Sequence, residues 1–174
     1  MIVTTRRAVA VFVLASLAAC AVPPPPPVAP PPPPPAPTPT TTAVGDWRDA
    51  PQTPGDWSYA ATASGSAASF SSGGSTVFAL ICDPVQRRIT VSRAGQATAA
   101  LPMTLRTTST DRTFNATPAP GTLPTLAAVF SANDPLLDAL AYSRGRFAVE
   151  VNGLPTLYLP AWSEVGRVTE DCRR

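Results

Sequence analysis

Between Pro23 and Pro39 the chain is almost entirely proline, broken by Val28, Ala29, Ala36 and Thr38, and it runs on into Thr40, Thr41 and Thr42. Proline fixes φ near −65° and has no amide hydrogen, so this stretch can form neither helix nor central strand and is predicted to adopt polyproline II. At about 3.1 Å per residue it spans roughly 50 Å as a semi-rigid spacer. A compact fold in this chain of 174 residues must therefore lie downstream, from 43 to 174. A segment of about 130 residues is long enough for one core and one domain.

Upstream of the prolines, Arg6 and Arg7 precede an apolar run from Ala8 to Ala19 that closes on Leu17-Ala18-Ala19-Cys20. A basic start, about a dozen apolar residues and a small-residue site describe a secretory signal, since a spanning helix needs roughly 20 apolar residues. Thr5-Arg6-Arg7 touches the twin-arginine pattern, but Ala8, Val9 and Ala10 continue it poorly. The ending resembles the lipobox of bacterial lipoproteins. That resemblance implies a signal peptide over 1–19, a thiol acylated by palmitate-type chains at Cys20, and a stalk over 20–42. Three acyl chains, at about 0.8 kcal/mol per buried methylene, exceed the two-signal threshold for stable anchoring. Ala21, where an aspartate would retain a lipoprotein at the inner membrane, implies the outer membrane, with the domain facing the periplasm. Position directly after an anchor favours a stalk over a ligand for an aromatic proline-binding groove.

Loss of Arg6 and Arg7 with the signal takes 13 basic residues to 11, against 11 acidic ones. A neutral domain gives no electrostatic case for nucleic acid. All the basic residues are arginine, so Schiff-base chemistry on lysine is excluded. Histidine is absent as well, which removes Ser-His-Asp and Cys-His hydrolases and HExxH zinc proteases. The residues suggest no metal site, no cofactor and no catalytic set.

Three cysteines leave an odd one in an exported chain. With Cys20 taken by lipid, the economical reading is a Cys82 to Cys172 disulfide, with two buried free thiols as the alternative. Closing a loop of that length is worth about 4 to 5 kcal/mol in the chain-entropy model.

Val77 to Cys82 is a nearly continuous apolar run ended by Asp83-Pro84, and Arg88 to Arg93 alternates strictly, so the two predict a hairpin. Further strands are expected at Trp57–Ala61, Ala67–Phe70, Met103–Thr107, Thr113–Ala116 and Leu126–Phe130. Phe147–Val151, Asn152-Gly153 and Leu157–Leu159 predict a hairpin with a type I′ turn. Two short helices complete the pattern. Asp134 can cap the first, with Pro135 at its first position, Leu136, Leu137, Leu140 and Ala141 in one stripe and Gly145 as the stop. The second is expected from Ala161 to Cys172 with Trp162, Val165, Val168 and Cys172 facing inward. The sum is a mainly β, α+β domain, an antiparallel sandwich or half-open barrel with two short helices.

The segments Gly55-Asp56-Trp57-Ser58-Tyr59, Asp134 to Ala139, Ser143-Arg144-Gly145-Arg146-Phe147, Pro160-Ala161-Trp162 and Glu170-Asp171-Cys172-Arg173 resemble small exported proteins of alphaproteobacteria that carry no assigned activity. The resemblance implies a compartment and no reaction.

Three sets of residues are candidates for function. Arg144 and Arg146 follow a helix end, where two guanidiniums can grip an anion or a partner; alternatively they complement the helix dipole and pair with Asp138, Glu150 or Glu164. Trp47 and Trp57, each in a Gly-Asp-Trp repeat, can stack on sugar rings or else serve as a turn and a core aromatic. Glu164, Glu170 and Asp171 offer a carboxylate pair for glycoside chemistry, or a solvated helix face. The expectation is a lipid-anchored envelope protein, tied to the membrane by its acyl chains, with a non-enzymatic binding or structural role toward an envelope protein or peptidoglycan. The alternatives are a cell-wall hydrolase using acidic residues, or an accessory subunit or chaperone of an envelope complex that offers a sheet edge for strand addition.

Overall fold

A computed structural model describes residues 45–174 apart from Thr122. The expected signal, Cys20 and the proline stalk lie outside the described residues. A single 3-10 turn, Trp47–Asp49, opens the domain, and nine strands follow, interrupted and closed by helices. They are β1 (Asp56–Thr62), β2 (Gly65–Ser72), β3 (Ser75–Asp83), β4 (Arg88–Ala94), β5 (Leu101–Arg106), β6 (Asp111–Ala119) and β7 (Thr125–Ser131). Helix α1 (Pro135–Ala141), β8 (Arg146–Val151), β9 (Leu157–Pro160) and α2 (Ser163–Arg173) complete the chain.

All nine strands belong to one antiparallel sheet in the order β1-β2-β3-β4-β7-β6-β5-β8-β9, curled into a half-barrel. Each strand foreseen from periodicity is present. The alternation of buried and open positions in β2 and β4 is the period-2 pattern of a sheet with one face on a core. The first four strands form a meander, but β4 pairs with β7 rather than with β5. The β5–β6 hairpin sits beyond it, and β6 is long enough to pair with β5 through Ala116 and with β7 from Thr117.

The two edge strands are drawn together by side chains and a connecting segment. Trp57 Nε1 of β1 donates to the Pro160 carbonyl of β9 at 2.8 Å. Thr53 N donates to Tyr158 O, and Tyr158 N to Thr53 Oγ1, both at 2.9 Å. The β9 edge is therefore occupied at Tyr158 by the segment leading into β1.

Inside, Trp57, Phe70, Phe78 and Phe147 form an aromatic cluster with Trp57 edge-on to Phe70 at 5.5 Å and Phe78 beside Phe147 at 5.8 Å. Leu80, Ile89, Met103, Leu105, Leu126 and Leu159 are fully buried around it. Helix α2 lies on β2 and β3 and packs against α1, burying Val165, Val168 and Cys172 with Leu136, Leu137 and Leu140. A disulfide joins Cys82 of β3 to Cys172 of α2, with Cα atoms 5.5 Å apart across 90 residues of sequence. Gly65 passes directly over this region. A Cβ there would stand 2.1 Å from the Cys82 carbonyl oxygen, and the φ of +143° is open to glycine.

Three expectations need correction. Asn152-Gly153 does not make a type I′ turn, because only Gly153 has a positive φ, +79°, and ladder pairing resumes at Leu157. Leu154 N closes a turn onto Val151 O at 3.1 Å, and Pro155 has no amide hydrogen to extend the ladder. Helix α1 ends at Ala141 with Tyr142 as its cap, before Gly145. Trp162 precedes α2 instead of riding on its inner face, and 43% of it is exposed.

One charge is inside. Arg93 of β4 points inward, only 5% exposed, and its guanidinium donates to the carbonyls of Ala94 and Pro155. Desolvation pushes it below the ordinary arginine value. It ties β4 to the β8–β9 loop.

Candidate functional site

A groove of about 830 Å³ is assembled from three separate parts of the sequence: the 3-10 turn, the β5–β6 turn and helix α1 with the residues that follow it. Its walls include Arg48, Thr108, Ser109, Asp138, Tyr142 and Arg144.

Hydrogen bonds fix each wall. Asp46 caps the 3-10 turn by accepting from Arg48 N at 3.1 Å, and both of its carboxylate oxygens take Arg48 Nη1 at 3.0 Å. The backbone bond from Arg48 holds the Asp46 carboxyl below the usual carboxylate range. The Arg48 guanidinium also lies over the Trp47 ring, 4.8 Å from its centroid. In the β5–β6 turn, Thr107 Oγ1 donates to Thr110 O at 2.7 Å and accepts from Thr110 N at 2.9 Å. That turn is bolted to the α1–β8 loop in both directions. Thr108 N donates to Ser143 Oγ, and Arg144 N donates to Thr108 Oγ1, each at 3.1 Å. At the start of α1, Asp134 accepts from Leu136 N at 2.9 Å and from Arg112 Nη1 at 2.6 Å.

Arg144 is thus held by a locked backbone while its guanidinium has no partner among the described residues. The acids available to neutralise it are engaged elsewhere. Asp138 binds Arg173 Nη1 at 2.8 Å, and this contact also raises Arg173 above its ordinary value. Glu150 binds Arg106 Nε at 2.9 Å, and Glu164 accepts from Ser163 Oγ at 3.4 Å. Arg146 has a different job: its Nη1 donates to the Ala50 carbonyl and fastens the segment before β1 to β8. The arginine pair therefore divides into one structural residue and one free cation.

The tryptophans divide in the same way. Trp57 is 7% exposed, in the aromatic core, so neither of its faces is open to a sugar. Trp47 is half-buried on the 3-10 turn beneath Arg48. The two do not share a surface.

Along α2, Glu164 and Asp171 are seven residues apart, a rise of about 10.5 Å at 1.5 Å per residue. Asp171 is committed to the Tyr59 hydroxyl, under which Arg167 stacks at 3.8 Å from the ring centroid. Glu170 is exposed. Among the described residues no three acidic or cysteine side chains gather as a metal site.

Thr108, Ser109 and Tyr142 were not singled out from sequence. Tyr142 carried the one usable signal, since it falls off the Leu136, Leu137, Leu140, Ala141 stripe; it is 74% exposed. The chain matches no protein-family model, no curated protein and no solved structure.

Proposed function

We propose that this chain is a lipid-anchored, non-enzymatic binding protein of the bacterial envelope, in which a bridged β domain is carried away from the outer membrane on a proline stalk. The observation that carries the reading is the cysteine arithmetic. Cys82 is joined to Cys172, which leaves Cys20 as the odd sulfur, at the end of Leu17-Ala18-Ala19-Cys20 behind Arg6 and Arg7. A disulfide suits an oxidising compartment, and a thiol at that position is the one lipidation requires. The binding role is supported by a groove whose walls are hydrogen-bonded in place around an unpaired guanidinium, since a preorganised polar group loses little entropy on meeting its ligand. In this reading the domain faces the periplasm.

Growth with radiolabelled palmitate tests the reading. The wild-type chain is expected to take up label and fractionate with outer membranes, and Cys20→Ser to take up none and appear in the soluble periplasmic fraction. A wild-type chain that stays unlabelled overturns the anchor.

A further inference from the structure

Beside the groove holding Arg144 lies a second depression of about 450 Å³ between the end of α1 and the start of α2. Tyr142 belongs to both. The second is lined, besides Tyr142, by Trp162, Ser163, Arg167 and Glu170 with the small residues Ala141, Ala161 and Gly166. The track thus presents two exposed aromatic side chains, Tyr142 at 74% and Trp162 at 43%, with hydroxyls of Thr108, Ser109 and Ser163 beside them.

We propose that this track binds a glycan carrying carboxylate groups, a proposal that deepens the reading above and takes from it only the envelope setting. Three observations select that ligand class. Exposed aromatic rings with polar neighbours suit the C–H faces and hydroxyls of sugar rings, because such rings offer flat apolar area beside hydrogen-bonding groups. The apolar lining of the two depressions is largely small, with Ala139 in the first and Ala141, Ala161 and Gly166 in the second, which suits shallow contacts better than the large side-chain anchors that dominate peptide binding. At the Arg144 end the charge is complementary to an anion, because Asp138 is ion-paired with Arg173 and Arg144 has no ion-pair partner among the described residues, while at the Trp162 end Arg167 and Glu170 offset one another in sign. The guanidinium of Arg144 matches the single charge and two oxygens of a carboxylate. The glycan-stacking role foreseen for Trp47 and Trp57 therefore passes to Tyr142 and Trp162.

Calorimetric titration of the full-length, detergent-solubilised protein tests this with three probes: the acidic disaccharide of N-acetylglucosamine and N-acetylmuramic acid, neutral di-N-acetylglucosamine, and the acidic dipeptide alanyl-glutamate. The acidic sugar is expected to bind at least tenfold more tightly than the other two. Arg144→Ala is expected to lower it to the level of the neutral sugar, and Tyr142→Ala and Trp162→Ala each to weaken both sugars about tenfold, with unchanged thermal midpoints. Equal affinity for the two sugars, tighter binding of the dipeptide, no binding of the acidic sugar, or variants that bind as wild type would each overturn the proposal. Because the titration does not depend on acylation, a chain without palmitate removes the envelope setting and leaves the glycan result standing, and the converse holds.

Discussion

Inside the half-barrel Trp57, Phe70, Phe78 and Phe147 meet ring against ring, and even the buried Arg93 has two carbonyl partners; beside α1 the Arg144 guanidinium has no partner among the described residues. The interior is continuous apolar packing contributed by every sheet strand in turn. The groove is three polar loops that meet only because the sheet order places the β5–β6 turn next to the α1–β8 loop. The difference shows a division of labour: the interior gains stability from apolar packing, with Ser66 Oγ and Arg93 Nε left without a hydrogen-bond partner among the described residues, whereas the groove rim spends backbone hydrogen bonds on holding Arg144 in place. An unpaired surface cation contributes little to stability, so removing it costs the fold little.

Four changes can break or sharpen this contrast. Cys82→Ser with Cys172→Ser frees α2 from β3 and is expected to lower stability by about 4 to 5 kcal/mol at most, read from urea midpoints against the oxidised wild type. Trp57→Ala empties the centre of the aromatic cluster and strands the Pro160 carbonyl, with an expected loss of about 3 to 5 kcal/mol by the same measurement. Asp134→Ala takes the cap from α1 and the partner from Arg112; about 1 kcal/mol is expected. If that variant costs as much as Trp57→Ala, the rim is part of the core and the contrast fails.

The smallest effect concerns acid. The Asp46 carboxyl is held below its ordinary range by the Arg48 amide, so its cap is intact above the usual carboxylate pKa of about 3.9 and is lost as pH falls through the lowered value. Fluorescence from Trp47 is expected to shift there while far-UV circular dichroism stays constant.

How much of this was readable in advance follows the same division. The strands were legible because each buries one face, so Ile89, Val91 and Arg93 alternate with Thr90 and Ser92 whatever the neighbouring strands are. The bridge was legible because only one pairing remains once Cys20 is set aside. The groove was not, for its walls lie in the segments 46–48, 107–110 and 135–144, and nothing local reveals that β5 pairs with β8. Arg144 and Arg146 look alike in sequence; their fates differ because Ala50 comes within reach of Arg146, while Asp138, which shares the groove with Arg144, is paired with Arg173 instead. The Asn152-Gly153 turn misled because Pro155, two residues on, overrides the preference of the pair.

Arg144→Ala, followed by urea unfolding and by titration with the N-acetylmuramic acid disaccharide on the same preparation, tests the separation of core from rim most directly. The expected result is an unfolding free energy within about 0.5 kcal/mol of wild type together with loss of the preference for the acidic sugar. An unfolding curve shifted as far as that of Asp134→Ala, or a titration identical to wild type, would contradict it.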